Sequence, residues 1–317
     1  MRSVLPNDPW TRRRVLLGAA SIGLAACGHK TSSGLPLGEV EGLEAGLSPP
    51  GGSWREASWP PAPDYPDGEL AHVLLPDVPA KAPLLIALHG RGETRSVSVG
   101  AAAWPVEYQL DRLHRRLLAP PLTGKDLLDM YDPGRLAKLN ASLATAPYQG
   151  LVVGCPWAPD LHDKSPAGAQ GYAKFLTDEL LPRMRKESGS TLTARETTGI
   201  DGVSMGGRLS LLVGLTHPEI FGRVGALQPA LGVAEAAMVS DLAKAAMARA
   251  PVKLRLVSSL DDPFLPAVHA ASMRMKEDGV PHEILVIPGT HGYEFNRGPG
   301  GVEMLLWHER TARGLAL

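Results

Sequence analysis

From residue 71 onward, apolar residues come in short, nearly unbroken runs. They fall at 71–75, 84–88, 151–153, 197–202, 224–227, 254–258 and 284–287. Each run is short and rich in Leu, Val and Ile, which predicts a strand covered on both faces rather than one alternating between core and water. Between them, apolar residues recur at helical spacing over 170–186, 208–216, 233–248, 267–278 and 301–313. Buried strands alternating with amphipathic helices predict an α/β class fold, a mainly parallel, doubly wound sheet with helices on both faces. In such sheets functional groups collect in the loops at the carboxyl ends of the strands. The residues just after each run are therefore the informative ones.

The chain before residue 65 has a different pattern. Arginines at 12–14 stand directly before an apolar run at 15–26, the length of a secretory h-region and too short to span a bilayer. Paired arginines in that position fit a twin-arginine export signal, used by proteins that cross already folded. The run ends Leu24-Ala25-Ala26-Cys27, the form of a lipoprotein cleavage site with Cys27 as the lipidated residue. An ordinary signal with a chance cysteine is the plainer alternative. The Gly-, Pro- and Ser-rich stretch that follows has little periodicity and reads as a flexible tether. The expected organisation is a signal peptide at 1–26, a tether at 27–64 and one catalytic domain at 65–317. Its expected place is the bacterial cell envelope, with the membrane as partner through a lipid on Cys27.

Composition changes this picture little. The 317 residues suffice for one large core, and a net charge of -1 with no basic stripe gives no reason to expect nucleic acid as a partner. With Cys27 accounted for, Cys155 lies in an apolar run and reads as a buried thiol rather than half of a disulfide. No clustered His, Cys or Asp spacing of the metal-binding kind appears, and no cofactor is expected.

The chemistry begins after the run at 197–202. There Gly202-Val203-Ser204-Met205-Gly206-Gly207 leads straight into a helical pattern. Strand, Gly-x-Ser-x-Gly, helix is the form of a nucleophile elbow, a turn so tight that glycines must flank it. It would raise the Ser204 hydroxyl at the positive end of a helix. A phosphate-binding turn is the competing reading, but the P-loop lysine and the dinucleotide spacing are both missing. A serine nucleophile needs a base. Among ten histidines, His291 stands out because it follows the last predicted strand, in Gly289-Thr290-His291-Gly292. His308 on the final helix and His217 at a helix end read as surface or capping residues, and His89 as a brace for its loop. An acid is expected between serine and histidine in chain order. Both Asp261 and Asp262 qualify, at the end of the run 254–258, and spacing does not separate them. The oxyanion needs N–H donors. Met205 supplies one by following the nucleophile, and the loop His89-Gly90-Arg91-Gly92 supplies the other, with Arg91 preferred and Gly90 next.

These motifs resemble the esterase D or "putative esterase" family of α/β-hydrolases, which includes feruloyl esterases, S-formylglutathione hydrolases and mycolyltransferases. The likeness runs from the Ser204 elbow through His217-Pro218-Glu219-Ile220-Phe221 to Gln228-Pro229, and spans roughly residues 70–315. It implies an α/β-hydrolase fold and a serine esterase. The family's Gly-x-x-Asp-Pro aligns with Ser259-Leu260-Asp261-Asp262-Pro263 and so implies Asp262 as the acid. Its Gly-x-His matches His291, and Leu88-His89-Gly90 matches its oxyanion strand, implying Arg91.

Three departures stand out. Ser259 replaces a usual glycine, Gly292-Tyr293 replaces the usual pair after the histidine, and residues 95–149 match poorly and are a candidate lid insertion. The expected function is cleavage of a carboxylic ester, small or polymer-linked, through an acyl-enzyme on Ser204. An acyltransferase using the same triad and an inactive envelope-binding module are the alternatives.

Overall fold

The computed structural model describes residues 51–63 and 65–317. The expected signal peptide, Cys27 and the tether as far as residue 50 lie outside the described residues.

Among the described residues, eight strands form one sheet: β1 (Gly52–Trp59), β2 (Glu69–Pro76), β3 (Leu84–Leu88), β4 (Val152–Pro156), β5 (Thr198–Gly202), β6 (Arg223–Leu227), β7 (Lys253–Asp261) and β8 (Glu283–Thr290). Their order is β1-β2-β4-β3-β5-β6-β7-β8. β2 pairs antiparallel with β1 and β4, and every other pairing is parallel. The strands alternate between two cores. Leu84, Ile86 and Leu88 of β3 enter one, and Leu85 and Ala87 the other. Burial on both faces is what the unbroken apolar runs record.

Among the described residues, ten α-helices cover the faces: α1 (Val97–Ala101), α2 (Leu110–Leu118), α3 (Pro133–Thr145), α4 (Gln170–Lys174), α5 (Leu181–Ser188), α6 (Met205–Thr216), α7 (Ala236–Arg249), α8 (Leu265–Glu277), α9 (Tyr293–Arg297) and α10 (Pro299–Ala312). A wide π turn at Phe175–Leu180 joins α4 to α5. Along α6 every residue from Met205 to Leu215 is buried, because this helix packs directly behind the central strand.

Two expectations need correcting. Residues 52–59, read as tether, form β1, which pairs over its whole length with β2. The folded domain thus includes this strand and begins before residue 65. Its composition hid it: β1 is an edge strand burying only Gly52 and Ala57, with no apolar run to betray it. Residues 95–149, a candidate lid, are built into the domain instead. Trp104, Tyr108, Leu110, Leu113 and Leu117 are all buried in the second core beside α10.

Candidate active site

The turn after β5 places Ser204 at φ 58°, ψ −115°, a region that a side-chain-bearing residue adopts only under constraint. The constraint comes from both sides. Ser204 N donates to Leu227 O at 2.9 Å, and its carbonyl accepts from Arg208 N and Ala230 N. The flanking glycines are obligatory on steric grounds. A Cβ on Gly206 would lie 2.5 Å from the carbonyl oxygens of Leu88 and His89, and one on Gly202 2.6 Å from the Gly206 carbonyl carbon. The strand-end backbone of β3 therefore presses against the elbow, bringing the loop at 89–92 beside Ser204.

His291, just after β8, faces the serine with Nε2 3.1 Å from Ser204 Oγ. Its Nδ1 is 3.0 Å from Asp262 Oδ1. Asp262 is buried, whereas the His291 side chain remains a quarter exposed. The structure thus brings Ser204, His291 and Asp262 into one hydrogen-bonded line and leaves Asp261 outside it. The reason is local. The β7–β8 register shifts between Ser259 and Asp261, so Asp261 pairs opposite Thr290 at the strand end. Asp262 then folds back: Oδ1 accepts from Phe264 N at 3.0 Å, an Asx turn, and Oδ2 accepts from Ser258 Oγ at 2.5 Å.

Met205 opens α6, where the first N–H groups have no intrahelical acceptor. Across from it, burial pushes the His89 imidazole down to about 4, so the ring is neutral. Its Nε2 accepts from Ala158 N at 2.8 Å, which leaves the proton on Nδ1 to donate to Gly90 O at 2.7 Å. His89 therefore braces the loop, and Arg91 follows it at the start of a short 3₁₀ turn beside the serine. The Arg91 side chain pairs with Asp160 at 2.8 Å. Ser204 and Met205 open on a cavity of about 250 Å³ walled by Arg91, Leu161, Leu209, Leu212 and Phe264. Its lining combines these apolar side chains with the charged Arg91, Asp160, Lys164 and Arg208.

Several supporting residues had escaped sequence reasoning. Gln228 is buried at the end of β6. Its Nε2 donates to Ser259 Oγ at 2.6 Å and to Thr290 O at 2.9 Å, bracing the strand ends that carry Asp262 and His291. The serine replacing a usual glycine at 259 thus has a partner, and that departure was the signal that could have found Gln228. His308, expected at the surface, is buried, with Nε2 3.1 Å from Asp201 Oδ2. α10 buries every residue from Pro299 to Arg310, so no face of it is free for a surface histidine. Cys155 is a free, buried cysteine, and burial raises its thiol well above the ordinary range. Among the described residues, no group of three or more His, Cys, Asp or Glu could hold a metal ion.

Residues 141–293, which carry Ser204, Asp262 and His291, match the model of the family described as "Putative esterase". The chain is a serine ester hydrolase. Solved structures agree on the fold. A ferulic acid esterase is 18% identical with a TM-score of 0.59, covering 82% of this chain and 99% of its own. The S-formylglutathione hydrolase of Staphylococcus aureus is 14% identical with a TM-score of 0.55, covering 81% and 98%. A ferulic acid esterase from Anaeromyces mucronatus is 17% identical with a TM-score of 0.53, covering 84% and 94%. At these identities the likeness bears on architecture, and it is that of the α/β-hydrolases. No curated protein matches the sequence.

Proposed function

We propose that this hydrolase cleaves a carboxylic ester through an acyl-enzyme on Ser204. The observation that carries the reading is the 3.1 Å contact from His291 Nε2 to Ser204 Oγ, with Asp262 behind the ring. His291 takes the hydroxyl proton as Ser204 Oγ attacks the ester carbonyl, and Asp262 stabilises the imidazolium that forms. The new oxyanion is held by the N–H groups of Met205 and Arg91, each worth about 2.7–4 kcal/mol in comparable sites. Collapse of the tetrahedral intermediate transfers the His291 proton to the leaving alcohol. Water, deprotonated by the same imidazole, then attacks the acyl-enzyme and frees Ser204.

The cavity beside Ser204 is small and walled by leucines and Phe264, which favours a short or flat acyl group. The neighbouring structures of ferulic acid esterases support an aromatic acyl group of that shape. The envelope is the proposed location. The support is the sequence alone: the arginines before an apolar run, and Cys27 at its end.

The test is hydrolysis of p-nitrophenyl esters of increasing chain length, with feruloyl esters alongside, by wild type and Ser204→Ala. Short-chain or feruloyl turnover that Ser204→Ala abolishes is expected. Turnover surviving in Ser204→Ala overturns the nucleophile. Formation of new esters with added alcohols, in preference to free acid, turns the reading to an acyltransferase.

A further inference from the structure

A cluster of buried polar groups lies behind the loop at 89–92, and the reaction as described does not use it. Tyr108 and Glu93 are almost wholly buried. Gly90 N donates to Tyr108 Oη at 3.2 Å, and Tyr108 Oη donates to Glu93 Oε2 at 2.8 Å. The other carboxyl oxygen, Oε1, accepts from Tyr293 Oη at 2.5 Å. Tyr293 stands two residues beyond His291, on α9. One carboxyl therefore joins the loop after β3 to the loop after β8, segments about 200 residues apart in the chain.

The geometry reaches the nucleophile. A Cβ placed on Gly90 would lie 3.3 Å from Tyr108 Oη, 3.5 Å from Glu93 Oε2 and 3.8 Å from Ser204 Cβ. Gly90 thus borders both this cluster and Ser204, and its missing side chain is what lets them come together there. Two successive peptide planes are held there. The His89–Gly90 plane is held through its N–H by the Tyr108 hydroxyl. The Gly90–Arg91 plane is held through its carbonyl by His89 Nδ1. A peptide is planar and trans, so fixing the Gly90 carbonyl also fixes the direction of the Arg91 N–H. With the Gly90 N–H taken by Tyr108, the Arg91 N–H has no acceptor among the described residues.

A tyrosine hydroxyl has one proton. Glu93 takes that proton and directs it away from Gly90, which turns a lone pair of the Tyr108 oxygen toward the Gly90 N–H. The ring is held by packing, with Trp104 edge-on at 4.8 Å and Tyr293 at 5.7 Å. Burial, followed by the neighbouring Glu93, keeps the Tyr108 phenol protonated far above neutral pH. The arrangement does not loosen through loss of that proton.

We infer that Tyr108, oriented by Glu93, is a positioning residue for the oxyanion hole. It sets the Gly90–Arg91 backbone against Ser204 and, through Tyr293, ties it to the loop that carries His291. The inference rests on the acyl-enzyme reading above.

The experiment compares wild type with Tyr108→Phe on a p-nitrophenyl ester, with active enzyme counted by fluorophosphonate titration. Affinity for an alkyl trifluoromethyl ketone, whose serine adduct places an oxyanion in the hole, is measured alongside. Per titrated site, kcat should fall about 10–100-fold, less than the ~10²–10³ seen when a hole donor is removed outright. KM should change little, and ketone affinity should weaken in the same proportion as kcat/KM. A merely structural tyrosine would lower the titrated fraction and leave kcat per site unchanged; a kcat within twofold of wild type overturns the inference. If Tyr108→Phe shows no cooperative melt, Glu93→Met is judged by the same criteria, since it leaves the Tyr108 proton without its acceptor. Wild type that does not label at Ser204 overturns the underlying reading instead.

Discussion

The most discriminating single substitution is Asp262→Asn, because the structure makes an unusual demand on it. In a serine hydrolase, replacing the acid by its amide can turn an NH₂ toward the imidazole, force the wrong tautomer, and cost about 10⁴ in kcat. Here the amide has reason to sit the other way. Asp262 Oδ1 accepts from both His291 Nδ1 and Phe264 N, each at 3.0 Å. A backbone N–H cannot reverse its role, so an NH₂ at that position would face a donor across a buried contact. That arrangement costs about 1–3 kcal/mol for the unmade bond. On the other side, Oδ2 meets Ser258 Oγ at 2.5 Å, and a hydroxyl can rotate to accept. The amide oxygen should therefore stay toward His291, and the proton should stay on Nδ1.

What Asp262→Asn then loses is the negative charge behind the imidazolium. A hydrogen bond to a charged group is worth about 1.5–3 kcal/mol. At about 1.4 kcal/mol per decade, kcat should fall roughly 10- to 150-fold. Asp262→Ala removes orientation as well as charge and should fall about 10⁴-fold, as deletion of the acid does elsewhere. The assay is kcat on one p-nitrophenyl ester, per fluorophosphonate-titrated site, for the two variants side by side. Equal losses in Asn and Ala would refute the reasoning, since Phe264 N would then not be holding the amide oxygen in place.

Two further outcomes follow from packing and charge. Gly206→Ala places a Cβ 2.5 Å from two carbonyl oxygens of the β3 strand end, which are backbone and cannot swing aside. It should lower the melting temperature and abolish esterase activity together, and a variant melting like wild type with full turnover would contradict the steric account. Glu303→Gln attacks a buried cluster in which Arg135 grips both carboxylate oxygens at 2.6 Å and Arg255 adds a bond at 2.7 Å. Leaving buried guanidinium groups half-partnered should cost about 3–5 kcal/mol in urea unfolding at neutral pH. Burial alone would raise the Glu303 carboxyl, but the two arginines outweigh it and hold the group below its ordinary 4.5. A depressed carboxyl contributes stability above its unfolded-state value and loses it as pH falls through the folded one. The gap between wild type and Glu303→Gln should therefore narrow below about pH 4.5, and a gap that widened on acidification would have the wrong sign.

How much of this was legible in the chain depended on how local its cause is. The parallel strands could be read because burial on both faces leaves an unbroken apolar run, and Leu84–Leu88 was read without error. The Ser204 elbow could be read because its steric demand falls on Gly202 and Gly206, two positions either side of the serine. β1 could not be read, because an antiparallel edge strand borrows its pairing from β2 and shows no apolar signature of its own. Asp261 and Asp262 are equivalent in spacing, and a register shift between β7 and β8 separates them. His308 looked like a surface residue because a helix buried nearly all round has no polar face to mark where the histidine lies. Glu93, Tyr108 and Tyr293 carry the same lesson to the site itself. Their hydrogen bonds close across 15 and 200 residues, and no interval of the sequence encodes them. A motif records what the chain must do to pass its own neighbours. The partners that hold the motif in working geometry come from the far ends of other strands, where an ordinary tyrosine and glutamate differ from their surface counterparts only in what they touch.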